Sequence, residues 1–170
     1  MIFVTVGTPQ QPFDRLVKAV DDFAVQANEI MLIQAGTTTY TPKHAEYFRW
    51  ATFKEMEKFT QESRIVISQA SAGAIILALK FGKPLIIVPR LSKYGEHYND
   101  HQYQLALALQ KGGQAVVLAE SLTLASLQNA IDRAPKQGGV QSSRENLVNG
   151  LRRQLDAWQG QIKPNERVRE

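Results

Sequence analysis

The stretch from Arg64 to Gln102 leaves the chain few folds to choose from. Ile65-Val-Ile67 is short, β-branched and apolar at every position, as in a strand buried on both faces of a parallel sheet. The run Ser71 to Phe81 is apolar all round, which predicts a buried helix stopped by Gly82. Pro84 leads into a second apolar strand ending at Val88, and a polar loop over 90–102 closes with Gly95-Glu-His-Tyr-Asn-Asp-His-Gln102. In a parallel sheet the loops after both strands emerge at the same carboxyl edge, where ligands of open α/β sheets bind.

Ser71, Ala72, Gly73 and Ala74 open that helix. Small residues there permit two readings. Either the strand and helix pack tightly, or backbone N–H groups at the helix start are left open to an anion, most naturally a phosphate. Beside a loop rich in hydrogen-bonding side chains, the second reading suggests a phosphorylated polar ligand such as a nucleotide sugar.

The rest of the chain repeats the alternation. Ile2 to Val6 reads as a strand, followed by the turn-rich Gly7-Thr-Pro-Gln-Gln-Pro12. Phe13, Leu16, Val17, Val20 and Phe23 recur at helical spacing as far as about Gln26. Glu29 to Ala35 is the second strand, and Gly36 to Pro42 is either a flexible loop near the ligand edge or a solvated loop without a role. Ala45 to Trp50 gives a short third strand. Thr52 with Glu55 forms a capping-box pattern ahead of a helix whose Phe53, Met56 and Phe59 share one face. That stripe is either core or, for Phe53 and Met56, a surface beside a flat base. A helix over 99–111 with Leu105, Leu107 and Leu109, a strand at Ala115 to Leu118 and a helix from Leu122 to Ala134 complete the pattern. It predicts an α/β fold with a doubly wound, Rossmann-like parallel sheet. Residues 1–141 form the ligand-binding body. Residues 142–170 belong to the same domain, as a helix from Arg144 to Trp158 with Leu147, Leu151 and Leu155 on its apolar stripe, then a polar tail.

Composition narrows the function. Twenty Lys and Arg against sixteen Asp and Glu leave a net charge of +4 without charge blocks or aromatic-interleaved basic motifs, so nucleic acid is not an expected partner. The chain has no cysteine, which excludes disulfides and thiolate metal sites. Met1 leads directly into a strand with no signal pattern, and no apolar run approaches the roughly 20 residues that span a bilayer. Gly7 to Pro12 also lacks the glycine fingerprint of a nicotinamide-dependent oxidoreductase.

Four segments, taken together and in order, resemble the glycosyltransferase family 28 C-terminal domain, and in particular its stand-alone, PssE-type soluble subunits of split GT-B enzymes. They are Phe3-Val-Thr-Val-Gly-Thr8 with Phe13-Asp-Arg-Leu16, Ile67-Ser-Gln-Ala-Ser-Ala-Gly73, Gly82-Lys-Pro-Leu-Ile-Ile-Val-Pro89 and Gly95 to Gln102. The resemblance implies the donor-binding half of a GT-B fold. Gly7 and Thr8 would line the cleft, Ser71, Ala72, Gly73 and Ala74 would face the donor diphosphate, and Phe53 and Met56 would lie beside uracil. Asn99, Asp100, His101 and Gln102 would hold the sugar. It further implies inverting transfer from a UDP-sugar to a lipid-linked glycan, without metal or cofactor. The enzyme would be completed by a membrane-associated, PssD-type acceptor-binding subunit that holds this chain at the cytoplasmic face and supplies the general base. His97 and His101 are candidate assistants to that base or purely binding residues.

The chain departs from the family at Gln69, where a His is frequent, at Ser71, where a Gly is frequent, and at Leu77, where many catalytic relatives carry a Glu for the ribose hydroxyls. Leucine cannot accept those hydrogen bonds, so a non-catalytic accessory subunit that stabilises or activates its partner is the alternative. The apolar stripe of the last helix leaves room for a homodimer.

Overall fold

A computed structural model describes residues 1–134. The linker from Pro135, the helix expected over Arg144 to Trp158, the polar tail and the boundary at 141/142 lie outside the described residues. The described residues belong to one compact unit that begins at Met1.

Six parallel strands form one sheet: β1 (Ile2–Thr5), β2 (Met31–Gln34), β3 (Glu46–Phe48), β4 (Ile65–Ser68), β5 (Leu85–Ile87) and β6 (Val116–Val117), in the order β3-β2-β1-β4-β5-β6. Five helices alternate with them: α1 (Asp14–Ala24), α2 (Phe53–Glu62), α3 (Ala72–Lys80), α4 (His101–Lys111) and α5 (Leu124–Arg133). This is the doubly wound arrangement expected from the alternating apolar runs. β1 is central, pairing Ile2 with Met31 on one side and with Ile65 on the other. Every residue of β1 and β4 is buried, which explains why Ile2 to Val4 and Ile65 to Ile67 are apolar at every position. Because successive side chains point to opposite faces, Val4 joins a core with Val17, Val20, Leu127 and Ile131 of α1 and α5. Phe3 points the other way, its ring 6.4 Å from that of Phe48 and 5.8 Å from that of Phe59 on α2.

Local signals set the helix ends. The Thr52 and Glu55 capping box is formed, with Glu55 accepting the Thr52 N–H at 2.7 Å. α3 ends where Lys83 N–H donates to the Ala78 carbonyl at 2.8 Å and Gly82 N–H to that of Leu79 at 3.1 Å, which requires the left-handed conformation that Gly82 adopts.

Several expectations are corrected. α3 is not buried all round: Ile76 is 51% exposed and Ala72 and Gly73 face solvent, because only one side of the helix meets the sheet. α4 starts at His101 rather than at residue 99, because the side chains before it are engaged in the turn. Asn99 accepts the His101 N–H at 3.2 Å, and Asp100 accepts that of Ser92 at 2.9 Å. Of the three leucines on α4, Leu105 and Leu109 are buried and Leu107 is exposed. The polar loop over 90–102 contains a 3-10 turn at Ser92–Tyr94 and two buried charged residues, Arg90 and Glu96.

The segment Gly36 to Pro42 is strapped to α1. Asp14 accepts the N–H groups of Thr39 at 2.8 Å and Tyr40 at 3.1 Å, together with the Thr39 hydroxyl. Asp21, fully buried, accepts the Tyr40 hydroxyl at 2.7 Å and the N–H groups of Lys43, His44 and Ala45 at 2.8 to 2.9 Å. Burial alone raises the pKa of this carboxyl, but the backbone amides and the Tyr40 hydroxyl outweigh it and hold it at about 2.

Candidate functional site

β1 and β4 are neighbours, yet the chain leaves β1 towards β2 and leaves β4 towards β5, so the switch point of the sheet lies between them. The loop after β1, the turn after β4 and the loop after β5 therefore meet at one carboxyl edge.

The turn after β4 is open. Ser71 caps α3 without a side-chain hydrogen bond, and its N–H donates to the Gln69 carbonyl at 2.8 Å. The first-turn N–H groups of a helix have no partner within the helix. Here they belong to Ala72 and Gly73, both exposed, and the half-buried Ala74. A Cβ placed on Gly73 would meet nothing within 4 Å. Tight packing therefore does not explain this glycine, and the end of α3 that carries partial positive charge is free to receive an anion.

The loop after β1 is tightly built. Gly7 has φ +72°, its N–H donates to Oε1 of Gln34 at 3.0 Å, and its carbonyl accepts from Nε2 of Gln34 at 3.1 Å. Gln34 also accepts the Thr5 hydroxyl at 2.7 Å and donates to the Arg49 carbonyl at 3.1 Å, so both ends of this buried amide are used. Thr8, next to Gly7, is exposed.

The loop after β5 carries the segment expected to hold a sugar. Gln102 is half-buried and its Oε1 accepts the Arg90 N–H at 3.2 Å. Asp100 is exposed, and the Ser92 amide and hydroxyl hold its carboxyl below the usual range. Asn99 and His101 are exposed, and half-buried His97 accepts the Asn99 N–H on Nδ1 at 3.4 Å. At the start of α2, Phe53 is 68% exposed and Met56 half-buried, so only Phe59 of that stripe reaches the aromatic core. Leu77 is buried and brings no polar atom.

Sequence reasoning missed the group that joins these loops. Arg90 is fully buried at the end of β5. Its Nε donates to Oε1 of Gln69, its Nη1 to the Gln11 carbonyl at 2.8 Å, and its Nη2 to the Val6 carbonyl at 2.9 Å. Glu96 receives Arg15 through both carboxylate oxygens at 2.8 Å and accepts the Leu91 N–H at 3.1 Å. Burial pushes the Arg90 guanidinium down to about 10, against the opposing pull of Glu96, so it remains charged at neutral pH. The one sequence cue was the position of Arg90, between Pro89 and Leu91 directly after an apolar strand.

Fold and site together define a Rossmann-like α/β domain with an open, anion-receptive carboxyl edge. The chain belongs to the family of the glycosyltransferase family 28 C-terminal domain, whose model matches residues 1–152. It is 34% identical over 122 residues to the UDP-N-acetylglucosamine transferase subunit ALG13 of Mus musculus, a match covering 65% of this chain and 10% of that protein. It is 27% identical over 103 residues to the UDP-N-acetylglucosamine--N-acetylmuramyl-(pentapeptide) pyrophosphoryl-undecaprenol N-acetylglucosamine transferase of Thermotoga neapolitana, covering 60% of this chain and 29% of that one. The chain thus spans only a minor part of these relatives.

Solved structures of similar fold include the calicheamicin glycosyltransferase CalG4, with a TM-score of 0.63 and 16% identity over 96% of this chain and 44% of that one. An NMR structure of ALG13 has a TM-score of 0.57 and 21% identity over 86% of this chain and 93% of that one. The fold is that of the Rossmann-like C-terminal half of GT-B glycosyltransferases.

Proposed function

We propose that this chain is the donor-binding subunit of a two-component, inverting glycosyltransferase that moves a sugar from a UDP-sugar to a lipid-linked glycan in polysaccharide synthesis. The observation that carries the reading is the solvent-open N-terminus of α3 at the switch point of the sheet, with the Gly7 loop and the Asp100 to Gln102 segment on the same edge. The names of the relatives support the substrate classes: a UDP-N-acetylglucosamine transferase subunit on one side, and a transferase acting on an undecaprenol-linked acceptor on the other.

In this reading the α3 amides at Ala72, Gly73 and Ala74 receive the donor diphosphate. Their partial positive charge offsets the charge that develops on the leaving group, with no metal required. Gln102 and Asp100 orient the sugar, and Phe53 and Met56 flank the base. One half of a GT-B cleft contains no acceptor site, so the acceptor and the general base come from a membrane-associated partner that keeps this chain at the cytoplasmic face. No helix among the described residues is long and apolar enough to cross a membrane. His101, within the sugar segment, and His97, just before it, are candidate assistants to the general base.

A second reading, an accessory subunit that stabilises or activates a catalytic partner, is favoured by buried Leu77, which offers the ribose no acceptor. Transfer of labelled sugar from UDP-sugars to a lipid-linked acceptor, by the co-expressed pair and by each subunit alone, tests the proposal. Transfer by the pair that is lost with Gln102→Ala supports it. Transfer that survives Gln102→Ala and Gly73→Ala favours the accessory reading.

A further inference from the structure

Arg90 is the largest side chain that the fold buries completely among the described residues, and its guanidinium meets no carboxylate directly. Its donors go instead to neutral acceptors: Oε1 of Gln69 and the carbonyls of Val6, Gln11, Pro12 and Glu96. The guanidinium lies over the Phe13 ring, 4.5 Å from its centroid. A buried cation held only by carbonyls is a poor way to gain stability, since well-packed apolar residues serve as well or better. What such a group does supply is fixed geometry, because the rigid fork of an arginine dictates where each acceptor stands.

The acceptors are informative. Val6, Gln11 and Pro12 bracket the Gly7–Thr8 loop, Gln69 follows β4 two residues before the α3 cap, and the backbone N–H of Arg90 donates to Oε1 of Gln102. Glu96, clamped by Arg15 and by the Leu91 N–H, closes the loop back over the same guanidinium. We propose that Arg90 is the positioning residue of the donor site, its buried fork of hydrogen bonds joining the Gly7 loop to the turn before α3 and its backbone N–H tying the sugar-holding Gln102 to the same body. This rests on the donor-site reading for the role of the three loops, but not for their coupling.

Two measurements on the full chain separate the coupling from that reading. The first is amide hydrogen exchange without donor, comparing the wild type with Arg90→Lys, which keeps the charge and loses the fork. Faster exchange confined to segments 6–12, 69–73 and 89–102 is expected, with α1 and α5 unchanged. Faster exchange throughout the unit, or none in either loop, overturns the coupling. The second is calorimetric titration with UDP-N-acetylglucosamine. Arg90→Lys is expected to weaken binding about tenfold, the effect of losing one charge-assisted hydrogen-bonding arrangement.

Combined with Gln102→Ala, it should act non-additively, the double variant binding little worse than Arg90→Lys alone. Ile131→Ala on α5, a stability control beside the strand starts Ile2 and Ile65 at the opposite edge of the sheet, should leave the affinity unchanged. Additive effects, or equal weakening by Ile131→Ala, would show that Arg90 acts only through stability. Absence of binding by the wild type would overturn the donor-site reading while leaving the exchange result to judge the coupling. Should Arg90→Lys fail to fold, Gln69→Ala, which removes the side-chain acceptor of the fork while leaving the Gln11 and Val6 carbonyls in place, is read in the same two ways.

Discussion

A Cβ on Gly7 would stand 1.8 Å from Nε2 of Gln69, well inside any permitted contact. Gln69 cannot simply swing aside, because it is buried and its other amide atom receives Arg90. Gly7 also has φ +72°, where an L side chain is strained by roughly 1–2 kcal/mol. Gly7→Ala is therefore expected to destabilise the protein by at least about 2 kcal/mol in urea denaturation. A midpoint equal to that of the wild type would refute this contact.

Gly73 is the opposite case, since a Cβ there meets only open space. Gly73→Ala should leave stability unchanged or raise it by up to about 1 kcal/mol, the helix propensity difference. The added methyl group narrows the approach to the first-turn amides, so affinity for UDP should fall. A variant that is both as stable as the wild type and as tight for UDP would show that no anion comes to this turn.

The straps on α1 predict an acid-sensitive contribution. Asp21 is held at about 2 against an ordinary value of 3.8. Its stabilisation is fully present above pH 4 and is lost as pH falls through 2, a total of about 2 kcal/mol. Asp21→Asn keeps an oxygen for the three backbone donors on Oδ1 but puts an amide NH2 where Oδ2 accepts the Tyr40 hydroxyl and the Lys43 N–H. The stability gap between wild type and variant should be widest above pH 4 and shrink between pH 4 and pH 2. A gap independent of pH over that range would mean that the carboxylate charge plays no part.

Phe53 contributes little to the core, being 68% exposed. Phe53→Ala should change unfolding free energy by less than about 0.5 kcal/mol. If its ring flanks the uracil, the same variant weakens UDP and UDP-sugars alike. Unchanged affinity for both would remove Phe53 from the site.

The elements of this fold were legible because their signals are local. Val66 and Ile86 lie in unbroken apolar runs, Thr52 and Glu55 stand at capping distance, and Gly82 stops a helix. That the sheet is parallel and doubly wound followed from the alternation alone. What stayed hidden depends on partners distant in sequence: Arg90 reads as a solvated loop residue until the Val6 and Gln11 carbonyls, 84 and 79 positions away, close around it. Gln34 likewise looks like an ordinary strand end, although it holds Gly7 on both sides. Asp21 was readable in principle, since it falls beside Val17 and Val20 on the apolar stripe of α1, where a carboxylate must find donors. The exposure of Ile76 was not, because an all-apolar helix does not reveal which side the sheet will cover.

Titration calorimetry of UDP and of several UDP-sugars, UDP-N-acetylglucosamine among them, into the full chain, alone and with its co-expressed partner, tests the donor site most directly. A UDP-sugar is expected to bind. Gly73→Ala should weaken UDP and UDP-sugar together, and Gln102→Ala should weaken the UDP-sugar about tenfold while sparing UDP. No binding under either condition, or binding indifferent to both substitutions, would contradict a donor site at this edge of the sheet.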